Sequence, residues 1–187
     1  MTDPKPGLRP ITLMPPPAIV DPASIDTERV LYGIDQIRER NPQRFEMEQL
    51  TGIVHLDIEQ HLIIGYKDIG ENEFWVRGHM PGTPLMPGVV LCEVAAQLCS
   101  FYCQTAKLIV AGFMGFGGLE EVRFRGIVKP GDRLIMVAKG RKVHRRQSTF
   151  ETQGFVKSNM VFHGMVIGVP IRLEPEEPGN DEGSRGE

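Results

Sequence analysis

Apolar and polar positions alternate along this chain in a way that marks out a central folded region between two polar extensions. In 34–40, Ile34 and Ile37 fall on one face of a helix that stops before Pro42. Asp26 or Thr27 is its expected cap, although Gly33 weakens the start. Positions 53–66 are rich in Ile and Val with charged breaks and predict a strand, and 74–78 predicts a second, short one. A loop with three prolines and three glycines follows over 78–88. Positions 89–107 then carry mostly apolar residues without proline or glycine, which predicts a long, largely buried helix; burial overrides the poor helix propensity of the leading valines. Beyond it, 113–128, 133–145, 147–158 and 159–171 read as strands, with turns at 129–132 and near Lys157-Ser158-Asn159. This order predicts an α+β domain in which one antiparallel sheet wraps a central helix.

The two extensions differ from the domain and from each other. Residues 1–27 hold seven prolines, each fixing φ and removing a backbone donor, so an extended or irregular arm without chemistry is expected. Residues 174–187 carry Glu174, Glu176, Glu177, Asp181, Glu182 and Glu187 against Arg185, a net −5, and predict a disordered acidic tail. The domain is thus expected over 28–173.

Composition narrows the function classes. A hydrophobic fraction of 41% supports a real core, and a formal charge of −3 points to no nucleic-acid partner. No stretch approaches the roughly 18 apolar residues of a membrane span, and the start lacks the charged, then apolar, pattern of a signal peptide, so a cytoplasmic location is the expectation. Cys92, Cys99 and Cys103 share one helix face; an odd number with none elsewhere speaks for small buried hydrophobes rather than a disulfide framework. His55, His61, His144 and His163 form no metal-ligand spacing and read as structural.

The junction of loop and helix carries the chemistry. Gly78-His79-Met80-Pro81-Gly82 is followed by Pro84-Leu85-Met86-Pro87-Gly88-Val89, then Glu93 and Ala96-Gln97. This run resembles the active-site signature of the 3-hydroxyacyl-acyl carrier protein dehydratases of the hot-dog superfamily. The likeness extends to 41–45, Phe124 and 128–132, and covers about residues 32–172. It implies a hot-dog fold, no cofactor, and a fatty-acid biosynthetic reaction that converts (3R)-3-hydroxyacyl-acyl carrier protein to the trans-2-enoyl form. It also implies a homodimer, with trimers of dimers known in the family, in which the His and Glu of one site come from different subunits.

By the same resemblance His79 is the base and Glu93 the acid or water-handling carboxylate. The Gly88 backbone N–H is the carbonyl donor, and Met80, Pro87 and Val89 lie along the substrate. Gln97, one turn after Glu93, either orients that carboxylate or is ordinary helix surface. The residue types suit such a dehydration. A histidine neutral near pH 7 removes an α-proton, and a desolvated carboxylic acid protonates the leaving oxygen. The free N–H groups of a helix start stabilise an enolate.

Some positions depart from the family. Met80 stands where phenylalanine is usual, Gln43 replaces a histidine, and 46–49 is more polar than expected beside an acyl tunnel; the gating aromatic corresponds to Phe113 or Phe116. Glutamate at 93 favours plain dehydration, since the isomerising relative carries aspartate. The competing readings are a hot-dog thioesterase, an isomerising dehydratase and a catalytically silent acyl-binding homologue. Two basic groups are candidate docking patches for the acidic carrier: Lys139, Arg141, Lys142, Arg145 and Arg146, and Arg123, Arg125, Lys129 and Arg133.

Overall fold

The computed structural model describes residues 14–172; positions 1–13 of the arm and the acidic tail at 174–187 lie outside them. Six strands form one antiparallel sheet in the order β1-β2-β4-β5-β6-β3, with β1 Gly52–Asp57, β2 Leu62–Asp68, β3 Phe113–Phe124, β4 Arg133–Lys142, β5 Ser148–Val156 and β6 Asn159–Ile171. Helix α1, Ile34–Arg38, is a single short turn and a half, and α2, Gly88–Thr105, is the central helix. The sheet wraps α2, which is the hot-dog arrangement.

Period-two alternation sorts the sheet residues between two layers. Leu134, Met136 and Ala138 of β4 turn inward with Ile63, Phe150, Phe162 and Val166 to meet Val94, Ala95, Leu98, Phe101 and Tyr102 of α2. An 18-residue helix is about 27 Å long, enough to run across the strands. Gly65 permits the approach of β2, because a Cβ there would sit 2.9 Å from Leu98 Cδ1 and 3.0 Å from the Gly52 carbonyl. The opposite face holds a second cluster, Val54, Ile64, Tyr66, Ile135, Val137 and Phe155, and Ile19, Val20 and Ile25 of the arm cover it. Buried Gln153 stitches the arm down: it accepts from the Ile19 N–H (2.9 Å) and donates to the Pro17 carbonyl (3.0 Å). Residues 17–25 of the proline-rich arm are therefore a structural layer.

Three local expectations change. The first helix begins after Gly33, whose N–H donates to the Gln36 side chain at 3.0 Å. Asp26 instead accepts from the Glu28 N–H in a local turn, and Thr27 accepts from Arg133. The stretch 53–66 is two strands, because Asp57 accepts from the Gln60 N–H (2.8 Å) and closes a turn. The segment 74–78 is a turn, not a strand: the N–H groups of Gly78 and His79 both donate to the Trp75 carbonyl, at 3.1 and 2.8 Å. Trp75 is buried there, and a Lys67–Glu73 ion pair of 2.9 Å, with side chains only 7% and 14% exposed, pins the start of the loop.

Candidate active site

The loop that carries His79 is held by its own backbone. The Leu85 N–H donates to the His79 carbonyl (2.9 Å), and the Met80 and Thr83 backbones bond each other (3.3 and 3.0 Å). Gly82 supplies the positive φ of 78° that this tight turn requires. The Met86 N–H reaches the Val128 carbonyl at 2.7 Å and ties the loop to the segment before β4. His79 itself is half-buried, and its Nδ1 lies 2.9 Å from the Leu85 carbonyl. A carbonyl only accepts, so Nδ1 carries the hydrogen and the Nε2 lone pair is left to take a proton.

Helix α2 starts directly after this loop. Pro87 is its N-cap, with its carbonyl accepting from Val90 (2.9 Å) and Leu91 (3.4 Å), while the N–H groups of Gly88 and Val89 belong to the first turn, which lacks intrahelical acceptors. The Phe124 ring stacks on Gly88 so closely that a Cβ would meet it at 2.8 Å. Met80 and Val89 are exposed, and Pro87 is half-buried.

Glu93 sits in the second turn of α2, on the wall of a cavity of about 520 Å³ between the helix and the β3, β5 and β6 strands. The walls are chiefly apolar: Ala96, Cys99, Phe113, Met114, Phe150 and Val166 among them. Both gating candidates, Phe113 and Phe116, line it. Gln97 lies behind Glu93, buried, and uses its whole side chain. Its Nε2 donates to Glu93 Oε1 (2.7 Å) and to the Met47 carbonyl (2.6 Å), and its Oε1 accepts from the Gln49 N–H (2.9 Å). One carboxylate oxygen is thereby fixed.

The polar run at 46–49 has the same purpose. Its backbone binds Gln97, and Glu48 makes a two-pronged pair with Arg38 at 2.6 and 2.8 Å, which holds the Glu48 carboxyl below the usual range. Arg44 donates to the carbonyls of Asn41, Gln43 and Arg38, and Asn41 Nδ2 donates to the Gln97 carbonyl at 2.9 Å. The segment before β1 is thus a clamp on the Glu93 turn. Gln43 and Ser100 have no role in the sequence pattern, yet both line the cavity; a helical position seven residues after Glu93 was the available signal for Ser100.

The residues named from sequence fall into two groups. Glu93, with Gln97 behind it, belongs to the cavity. His79, Met80, Pro87, Gly88 and Val89 gather at the helix start and are not among the residues lining that cavity. The cysteines are all buried; burial pushes the Cys99 thiol well up and the Cys103 thiol to about 12, so neither is a ready nucleophile.

The basic groups are dispersed. Arg141 is paired with Glu151, Lys139 donates to the Gln60 carbonyl, and Arg133 is bound by Asp68 and Glu28. His144, Arg145 and Arg146 instead border a groove of about 770 Å³ together with Arg172, Leu108 and Val110. Among the described residues no helix is long and apolar enough to cross a membrane.

Two solved structures share this architecture. A chain of the dehydratase heterocomplex ApeI:P from Xenorhabdus doucetiae superposes with a TM-score of 0.62 at 12% identity, over 73% of this chain and 91% of that one. A sigma28-regulated virulence protein from Campylobacter jejuni gives a TM-score of 0.58 at 15% identity, over 79% and 94%. At such identities the likeness is one of fold. The sequence match is more direct: residues 41–165, about two thirds of the chain, match the FabA-like domain, and they span the clamp, the His79 loop and the Glu93 helix. With its sheet wrapped on α2, this chain belongs to the FabA-like domain family.

Proposed function

We propose that this protein dehydrates (3R)-3-hydroxyacyl thioesters on acyl carrier protein to trans-2-enoyl thioesters. The observation that carries the reading is Glu93, oriented by Gln97 on the wall of a mostly apolar cavity large enough for an acyl chain. His79 Nε2 removes the α-proton, the first-turn N–H of Gly88 receives the developing enolate oxygen, and Glu93 in its acid form protonates the leaving β-hydroxyl, so that water departs.

A second copy of the chain completes the site in this reading. His79 does not line the Glu93 cavity of its own chain, and β3 forms the sheet edge, with Phe116, Leu119 and Phe124 exposed by 49%, 39% and 51%. A long apolar edge strand is a surface for pairing with another chain. An isologous dimer through β3 would bring the partner's loop to the cavity. The groove of Arg145, Arg146 and Arg172 is one candidate for steering an acidic carrier, and the group of Arg123, Arg125 and Lys129 is the other.

A thioesterase reading draws on the same Glu93, a cavity carboxylate able to activate water without His79. The deciding experiment follows enoyl absorbance and free thiol together on crotonyl and 3-hydroxybutyryl thioesters. Hydration and dehydration without thiol release is the expected outcome. Thiol release would replace the reading with a thioesterase, and neither signal would leave an acyl-binding homologue.

A further inference from the structure

The groove of about 770 Å³ shares no lining residue with the Glu93 cavity. Its apolar lining includes Leu108, Ile109, Val110 and Val169, and Val110 is 86% exposed. Its charged lining is Arg145, Arg146 and Arg172, with no acidic residue among them. All three arginines are exposed, and among the described residues none of them takes part in an ion pair. Arg38, Arg40, Arg133 and Arg141, by contrast, each have a carboxylate partner. Like charges gathered around an apolar groove without a counter-charge call for an occupant that is acidic and carries apolar groups.

The chain itself supplies one. Leu173-Glu174-Pro175-Glu176-Glu177-Pro178 interleaves apolar and acidic positions, and it opens a segment whose residues 174–187 carry a net −5. This segment leaves from Arg172, which is itself a groove residue. Even a fully extended backbone keeps the Cα atoms of Glu174, Glu176 and Glu177 within about 7, 14 and 18 Å of that of Arg172. Such short tethers give effective concentrations in the millimolar range, which offsets the weakness of individual exposed ion pairs. We propose that the groove is the docking site of the chain's own acidic segment 173–178, which closes the groove to other acidic partners until they displace it. The inference holds whichever reaction the Glu93 site performs. An acidic carrier steered to Arg145 and Arg146 would compete with this segment for the same charges.

Nuclear magnetic resonance on the full chain at low salt tests this. Overhauser contacts are expected from Glu177 or Pro178 protons to the methyl groups of Leu108, Ile109 or Val110. The carboxyls of Glu176 and Glu177 should titrate about half a unit below their values in the free peptide 173–187. Both signs should vanish in the double variant Arg145→Glu, Arg146→Glu and in about 1 M salt, where charges are screened over about 3 Å. Competition gives an independent measure on an intact groove. A fluorescent copy of the 173–187 peptide, added in trans, should bind the triple variant Glu174→Gln, Glu176→Gln, Glu177→Gln about 3- to 10-fold tighter than the wild-type chain, because its groove is vacated. Absence of the contacts, carboxyls that titrate as in the free peptide, or equal peptide binding by the two chains would each overturn the proposal. Contacts found only between differently labelled chains in a mixed sample would also overturn it, since a second copy would then hold the groove.

Discussion

The loop that carries His79 and the helical turn that carries Glu93 are held in different ways. His79 is fixed within its own segment: its Nδ1 and its carbonyl are both engaged by Leu85, six residues on, and the turn closes on Gly82. Glu93 is fixed from a distance, through Gln97, by the backbone of Met47 and Gln49 and by the Asn41 side chain, some fifty residues away in sequence. A carboxylate beside an apolar cavity needs a buried, saturated amide, because an unpaired polar group there is costly.

The largest effect expected from breaking either side is loss of the reaction. His79→Ala and Glu93→Gln should each lower kcat for dehydration by about 10²- to 10⁴-fold with unchanged circular dichroism. If the two groups meet across a dimer, co-refolding the two inactive variants should restore about a quarter of the wild-type activity, since half of the mixed dimers' sites regain both groups. No recovery on mixing would place both groups in one chain.

Gln97→Leu strikes the distant frame. It leaves the Gln49 N–H and the Met47 carbonyl unpaired and frees Glu93, so about 1–3 kcal/mol of stability should be lost in urea unfolding, and kcat should fall with little change in KM. A stability loss with full kcat would mean that Gln97 only braces the fold. Gly82→Ala strikes the local frame. A Cβ meets nothing within 4 Å there, so the positive φ alone opposes it, and the cost should be about 1 kcal/mol with a several-fold drop in kcat. If the Gly82 variant proves more damaging to stability than the Gln97 variant, the contrast between local and distant support is wrong.

The smallest expected effect concerns charge. Reversing Arg145 and Arg146 should lower kcat/KM on carrier-bound substrate several-fold at low salt, and raising the salt should abolish the difference, because exposed charges are screened over about 8 Å at physiological ionic strength. Equal loss on a small N-acetylcysteamine thioester would point to misfolding instead.

How far the sequence could be read depended on whether an element's reasons are local. Helix α2, the turn at Gly131 and the strands β4 to β6 follow from apolar periodicity and turn chemistry, and they stand close to their expected positions. The stretch 74–78 has strand-like residues, but Trp75 is buried as the anchor of a turn, and no pattern in five residues distinguishes the two. The first helix was expected to be capped at Asp26 or Thr27, yet both of those side chains are engaged outside it.

The sequence pattern by itself determined an α+β domain with one antiparallel sheet on a central helix, because one long apolar helix and strands of period two leave few ways to bury their faces, and the family resemblance made that a hot-dog fold. The same resemblance, carried by the glycines and prolines of 78–88, made His79 and Glu93 the candidates for chemistry. Only the tertiary structure decided that residues 19–25 of the proline-rich arm cover the outer face of the sheet and that Gln97 is a buried bracket rather than helix surface. It likewise decided that the polar run at 46–49 is a clamp. Each of these depends on contacts between segments far apart in the chain, where the partner of a side chain is set by packing and leaves no periodic mark in the sequence.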